Sequence, residues 1–230
     1  LKGFFVYLHV QSEWYGNASK KSDINFVLRG LRRHHVHVSQ INIMWNISHP
    51  HSVTMDEYQD YDHVFIASEY WAEKLATQVK TKVEPLLQCT DIDRFRPPTT
   101  SEKNHKDYEL LFVGNSRGIF RKILKELLPT KYNLAIFGEH STINIPPHYI
   151  INNYLPNEEL YKYYGSTKIL LNDHWDDMQE KGFISNRIYD GLASGALIIS
   201  DKVKHMGDLE DFIVTYETSY DLENKIDYYL

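Results

Sequence analysis

Residues 182–201 read GFISNRIYDGLASGALIISD, and the stretch joins two patterns. Ile184, Ile188 and Leu192 recur at i, i+4 and i+8, the apolar stripe of a helix that faces a sheet. Ser185 or Asn186 can cap that helix, and Gly195 stops it. The run Ala196–Ser200 that follows is short, continuous and apolar, as a buried strand is. A helix feeding a buried strand is half of a strand–helix–strand unit, which predicts a parallel sheet.

The rest of the second half repeats the alternation. Strands are expected at Leu110–Gly114, Leu134–Phe137, Ile150–Tyr154, Ile169–Leu171 and Ile213–Tyr216. Helices are expected at Ile119–Leu128, Asn157–Tyr164 and from Tyr220 onward. Alternating strands and helices with apolar strands imply a parallel sheet covered on both faces. The first half predicts strands at Gly3–Val10, Asn25–Leu28, Ile41–Ile47, His63–Ala67 and Val83–Leu87, with a helix at Glu69–Val79. Between the halves, CTDIDRFRPPTTSEKNHKD has linker composition and sets a boundary at residues 97 and 98, giving domains 1–97 and 98–230. The turn WYGNASKKSD has no room for a crossover helix between its flanking strands.

Composition narrows the class. The chain has 230 residues, 42% of them hydrophobic, which is ample for a core. Its formal charge of −6 argues against a nucleic-acid partner. The single cysteine, Cys89, excludes an intramolecular disulfide and fits a reducing compartment, hence the cytoplasm. No apolar run approaches the ~18 residues of a membrane span, which leaves peripheral association with the inner face of the membrane as the membrane role to expect.

In open parallel sheets ligands sit beyond the carboxyl ends of the strands, so three loops carry the functional reading. In FVGNSRGIFRKIL, Asn115 and Ser116 can cap a helix, and Arg117 and Arg121 stand one turn apart beside its N–H groups, an anion-binding arrangement. The same letters fit an ordinary cap with two solvated arginines. In KILLNDHWDDMQEKGF, Asn172 and His174 emerge from a strand end and can reach a hydroxyl or a phosphate. Asp173, Asp176 and Asp177 suit a solvated loop better than a metal site, because no second cluster stands at fixed spacing. In the third loop, Gly182 permits close approach, the helix start can face a diphosphate, and Asp190 one turn on can accept from a ribose diol. A plain amphipathic helix with an Arg187–Asp190 surface pair, worth under about 1 kcal/mol, explains those letters equally well.

Together these segments resemble the C-terminal domain of group-1 GT-B glycosyltransferases, a branch that includes CgeB-like proteins. The matching letters are Gly182, Phe183, Arg187, Asp190, Ala193, Gly195, Ala196 and Asp201, supported by FVGNSR, NEELYKYY and LLND. INIMWNISHP and YDHVFIASEYWAEKL look like the end of the same family's N-terminal domain, so the resemblance covers residues 23–230. It implies two Rossmann-like domains with parallel sheets facing a cleft, the N-terminal one shortened or incomplete, as in a fragment, a sequence missing internal segments or part of a larger protein.

The resemblance further implies transfer of a sugar from a UDP- or GDP-linked donor to a glycan acceptor, in surface polysaccharide synthesis, without metal or other cofactor. Gly182, Phe183, Ile184, Ser185 and Asn186 should hold the diphosphate with Arg187, Arg117 and Arg121 should neutralise it, and Asp190 takes the place of the family's ribose-binding acid. The first acid of the family's paired signature is absent, since Gly182 stands eight residues before Asp190. In the acceptor half, His49 in NISHP is the candidate general base, because an imidazole titrates near neutrality. The competing expectation is a non-catalytic GT-B-like module that binds sugar nucleotide or positions a partner within a larger assembly.

Overall fold

The structure is a computed structural model and describes residues 3, 5–14, 21–103 and 108–230. Contacts divide the chain into two units, Leu1–Leu87 with Lys181–Phe183, and Gln88–Glu180 with Ile184–Leu230. Each has its own parallel sheet, one of four strands and one of six.

In the first unit β1 (Ile24–Arg29), β2 (Ile41–Asn46), β3 (His63–Ile66) and β4 (Lys82–Pro85) lie in sequence order. Two short helices accompany them, α1 (Met55–Gln59) and α2 (Glu69–Ala76). Thr54 caps α1 and Ser68 caps α2, each side-chain oxygen accepting a backbone N–H of the first turn. Burial alternates along β1 and β2, so Val27, Arg29, Met44 and Asn46 point inward while Ile24, Phe26, Leu28 and Ile41 are exposed. The inward Arg29 is neutralised by Glu57, with Nε donating to Oε1 at 2.6 Å and Nη2 to Oε2 at 3.2 Å. The same guanidinium donates to the carbonyls of Gly30 and Ser52, which ties the end of β1 to the turn that follows β2.

The expected strand at Gly3–Val10 does not form: residues 5–10 join no ladder, and Phe5 and Leu8 are more than nine-tenths exposed. Apolar, β-branched letters make a strand only where a neighbour supplies the hydrogen bonds and a face to bury. The expected turn at WYGNASKKSD falls largely on residues 15–20, outside the described residues.

In the second unit β5 (Leu110–Val113), β6 (Leu134–Phe137), β7 (Ile150–Asn152), β8 (Ile169–Asn172), β9 (Ile198–Asp201) and β10 (Val214–Tyr216) pair in the order β10-β9-β8-β5-β6-β7, all parallel. The helices are α3 (Lys122–Leu127), α4 (Leu160–Tyr164), α5 (Asp176–Lys181), α6 (Asn186–Ala193) and α7 (Ser219–Tyr229). Alternate strand residues serve opposite faces. Leu110, Phe112, Leu134 and Leu171 join Ile123, Leu127, Leu222 and Ile226 of α3 and α7. Leu111, Ala135, Leu170 and Ile198 join Ile184, Ile188 and Tyr164 on the other face. Each such aliphatic side chain contributes about 1.5–3 kcal/mol when fully buried, so the sheet core is what fixes the strand ends.

Residues ahead of the prolines pack with this second unit: Phe95 is buried in the face that holds Ile188, and its ring lies 6.5 Å from that of Tyr164. Linker composition therefore does not coincide with the contact division at Leu87 and Gln88. Among the described residues no helix is long and apolar enough to cross a membrane.

Candidate functional site

The strand order of the second unit reverses between β5 and β8: β6 and β7 lie on one side of β5, and β8, β9 and β10 on the other. Ligands of open parallel sheets bind at such a reversal. A cavity of about 200 Å³ opens there. Gly114, Asn115, Arg117 and Arg121 line it from the β5 loop, Asp173, His174 and Trp175 from the β8 loop, Met178 from α5, and Ser185 and Arg187 from the start of α6.

The β5 loop is held open by backbone contact with the β6 loop. A β-carbon on Gly138, whose φ is 130°, would fall 2.2 Å from the Gly114 carbonyl oxygen. Asn115 Oδ1 accepts from the Glu139 N–H at 2.8 Å. The N–H and Oγ of buried Ser116 both donate to the Glu139 carbonyl, at 2.9 and 3.0 Å. Asn115 and Ser116 therefore brace two loops instead of capping a helix. The expected helix at Ile119 begins only at Lys122, because Arg117 (φ 50°) and Gly118 (φ 79°) turn the chain through the left-handed region first.

Arg121 is fixed in place by Asp173. Its Nε donates to Oδ2 at 3.2 Å, and its Nη2 donates to Oδ1 and, at 3.0 Å, to the Asp173 carbonyl. Its guanidinium lies 4.2 Å from the Trp175 ring centre. Asp173 Oδ2 also accepts the Ile123 N–H at 3.4 Å, so a carboxylate already occupies the start of α3. Arg117, by contrast, is exposed, with its guanidinium 5.8 Å from the same Trp175 ring.

The run after β8 forms α5 and not a loop; Asp177 Oδ1 accepts the Met178 N–H at 2.9 Å. No three His, Cys, Asp or Glu side chains converge on one point among the described residues.

At α6, Ser185 is the N-cap and its Oγ accepts the Arg187 N–H. The helix turns Ile188 and Gly191 to the sheet, while Leu192, expected on that stripe, is half-buried. Gly191 rides directly on β8 and β9: a β-carbon there would meet Leu170 at 2.6 Å. Arg187 does not pair with Asp190. Its Nη1 donates to Asn172 Oδ1 at 2.5 Å, and its guanidinium lies 5.1 Å from the Phe112 ring centre. Burial pulls the Arg187 basicity below its ordinary range, and an arginine so placed remains a cation.

His174 and Asn172 are both held by hydrogen bonds within the protein. Asn172 is fully buried and lines no cavity wall, since its amide is taken up by Arg187 and by Ser200 Oγ at 2.8 Å. His174 borders the cavity, yet both ring nitrogens are engaged, Nδ1 with Asp201 Oδ1 at 2.7 Å and Nε2 with the Ser185 N–H at 3.0 Å. An N–H facing Nε2 makes that nitrogen the acceptor, so the ring proton sits on Nδ1. Burial raises the Asp201 carboxyl, but the hydrogen bonds it accepts from His174 and Ser200 outweigh it and leave it below the usual carboxylate range.

Of the residues singled out in the sequence, the cavity gathers Asn115, Arg117, Arg121, His174, Ser185 and Arg187. Ser116 and Asn172 stand behind it. Gly182 (φ 76°) and buried Phe183 are counted with the first unit, Ile184 is buried in the sheet core, and Asn186 is exposed as the first residue of α6. Asp190 lines no wall of the cavity; its Oδ1 accepts from Thr90 Oγ1 at 2.7 Å. His49 belongs to the first unit, where it precedes the 3-10 turn Pro50–Ser52 with φ 51°, a left-handed conformation that costs a non-glycine residue. Sequence reasoning passed over Trp175 and Met178 as lining residues. The signal was their place directly after a strand that ends at the sheet's reversal.

The lining carries three guanidinium cations against one carboxylate, a surplus of two positive charges in a chain of net −6. Planar, half-dehydrated guanidinium groups bind phosphate oxygens in pairs and stabilise charge that builds there.

The model of the glycosyl transferase-like family matches residues 116–230, half of the chain. No curated protein matches the sequence. A solved structure, "Crystal structure of GtfA/B complex", superposes with a TM-score of 0.50 at 11% identity, over 83% of this chain and 46% of that one. This chain thus spans about half the length of that chain, and at such identity the likeness concerns the fold alone. With two parallel α/β sheets, a strand reversal lined by arginines and the family match over its second half, the chain belongs to the glycosyl transferase-like family, group-1 glycosyltransferases of the GT-B class.

Proposed function

We propose that the chain transfers a sugar from a nucleoside-diphosphate donor, UDP- or GDP-linked, to a hydroxyl of a glycan acceptor. The observation that carries this is the surplus positive charge at the β5–β8 reversal, placed on Arg117, Arg121 and Arg187. The bond between the anomeric carbon and the diphosphate breaks with its electron pair on the phosphate oxygen. The acceptor oxygen bonds to that carbon and loses its proton to a base. Negative charge grows on the leaving group as the bond lengthens, so cations fixed beforehand stabilise the transition state more than the bound donor. In this reading the guanidinium groups stand where other transferases use a divalent cation. His49 is the proposed base, and the 3-10 turn it precedes is tied down where Arg29 Nη2 donates to the Ser52 carbonyl.

Calorimetric titration with UDP, GDP, ADP and the matching nucleosides tests the donor pocket. A diphosphate should bind at least about tenfold tighter than its nucleoside, a gap of ~1.4 kcal/mol. Equal affinities would remove the reading. Release of nucleoside diphosphate from UDP- and GDP-sugars, in EDTA and with glycan acceptors, then tests turnover. His49→Ala should lose turnover and keep donor affinity; normal turnover strikes it from the reaction. Donor binding without turnover on any acceptor would leave a binding module in place of an enzyme.

A further inference from the structure

Behind the cavity runs a hydrogen-bond chain whose donors all point one way along each arm. On one arm Arg187 Nη1 donates to Asn172 Oδ1 (2.5 Å), Asn172 Nδ2 to Ser200 Oγ (2.8 Å), and Ser200 Oγ to Asp201 Oδ1 (3.1 Å). On the other, the Ser185 N–H donates to His174 Nε2 (3.0 Å), and His174 Nδ1 donates to Asp201 Oδ1 (2.7 Å). Both arms end on Asp201, whose Oδ2 also accepts the His174 N–H at 3.0 Å. Asn172, His174, Ser200 and Asp201 are all under 5% exposed, while the outer ends, Arg187 and Ser185, line the cavity.

We infer that Asp201 is a positioning residue for the anion pocket: its carboxylate, out of reach of any ligand in the cavity, sets the place of both the Arg187 guanidinium and the N-cap of α6. The inference rests on the donor-pocket reading above. The physical reason is polarisation along a buried chain. A charge at one end strengthens each acceptor in turn, and low surrounding polarity keeps the effect from being screened. Arg187 is a long, rotamer-rich side chain, and without a fixed acceptor at Asn172 it would have to be ordered by the ligand itself, which weakens binding. The His174 arm does the same for the backbone: with its proton on Nδ1, the ring presents an acceptor that holds the Ser185 amide and hence the start of α6.

Asp201→Asn separates this role from simple space filling, because the amide keeps the shape but has one acceptor oxygen where the carboxylate has two. Either the His174 backbone N–H then faces an NH2 group, or the His174 ring proton must move to Nε2 and confront the Ser185 N–H. The experiment uses UDP, inorganic pyrophosphate and uridine as probes, measured by calorimetry, with 15N NMR of the His174 ring. In wild type the ring should carry its proton on Nδ1. Asp201→Asn should weaken UDP and pyrophosphate at least about tenfold and leave uridine unchanged. Ser200→Ala cuts only the Arg187 arm and should weaken both phosphates by a smaller factor with the tautomer unchanged, which keeps the proposal testable if Asp201→Asn does not fold. A wild-type ring protonated on Nε2, or folded variants binding UDP as wild type does, overturns the circuit. Wild-type protein that binds neither UDP nor pyrophosphate overturns the donor reading and this proposal with it.

Discussion

Gly114 and Arg187 share one space: a β-carbon on Gly114 would lie 2.7 Å from Arg187 Nη2. The glycine at the end of β5 is thus the seat of the guanidinium that α6 contributes, although the two residues are far apart in sequence. Gly114→Ala should push Arg187 off Asn172 at small cost to folding, since the obstructing atom is the far end of a flexible side chain. UDP affinity should fall about tenfold, with a melting temperature close to wild type. Retained affinity would show that Arg187 does not hold the diphosphate from this position.

Asp173 should matter for stability before it matters for binding. Its carboxylate neutralises Arg121 and accepts the Ile123 amide in the first turn of α3, and the pair is almost wholly buried. Asp173→Ala leaves a buried cation without its partner, for which about 3–5 kcal/mol of destabilisation is expected. Urea denaturation measures it. A loss below about 1 kcal/mol would mean that solvent reaches Arg121 freely.

Arg117 is the opposite case, an exposed cation with no part in the core. Arg117→Ala should leave the urea midpoint unchanged and weaken UDP about ten- to a hundredfold, the range of one lost hydrogen bond to a charged group. Uridine affinity should not move. Equal losses for UDP and uridine would place Arg117 away from the phosphates.

The second unit was legible because its central strands β5, β6, β8 and β9 are buried on both faces and so read as apolar runs. The α6 cap at Ser185 followed from residue type ahead of an apolar stripe, and the loops around the cavity from the rule that ligands sit at strand ends. What the sequence hid is pairing across distance. Arg121 with Asp173 and His174 with Asp201 join segments that no local period connects, so nothing near His174 in the sequence announced its bonds to Asp201 and the Ser185 N–H. The acidic run at Asp176 read as a loop because its helix, α5, spans only Asp176–Lys181, too short for a recognisable apolar stripe. At Gly3–Val10 the letters favour a strand, but strand formation depends on a neighbour, which composition does not record.

Asp190 offers a test in which burial and ligand contact have separate signatures. Burial raises its carboxyl above the ordinary 3.8, and the hydrogen bond from Thr90, with Arg187 and Arg94, only partly offsets this. A raised acid holds its proton more tightly in the folded chain. As pH climbs past the unfolded value, the unfolded state ionises first, and folding loses stability until the folded carboxyl has ionised too. Asp190→Asn carries no such penalty, and its Oδ1 can still accept from Thr90. Its stability relative to wild type should therefore rise as pH climbs above about 3.8 and level off once the folded carboxyl has ionised, on top of any constant offset from the amide's own contacts. Urea midpoints of both proteins across that range measure the slope, and a flat difference would show that the carboxyl is not strained by burial. If the same variant also loses UDP affinity while its stability rises, the acid is kept for the ribose and not for the fold.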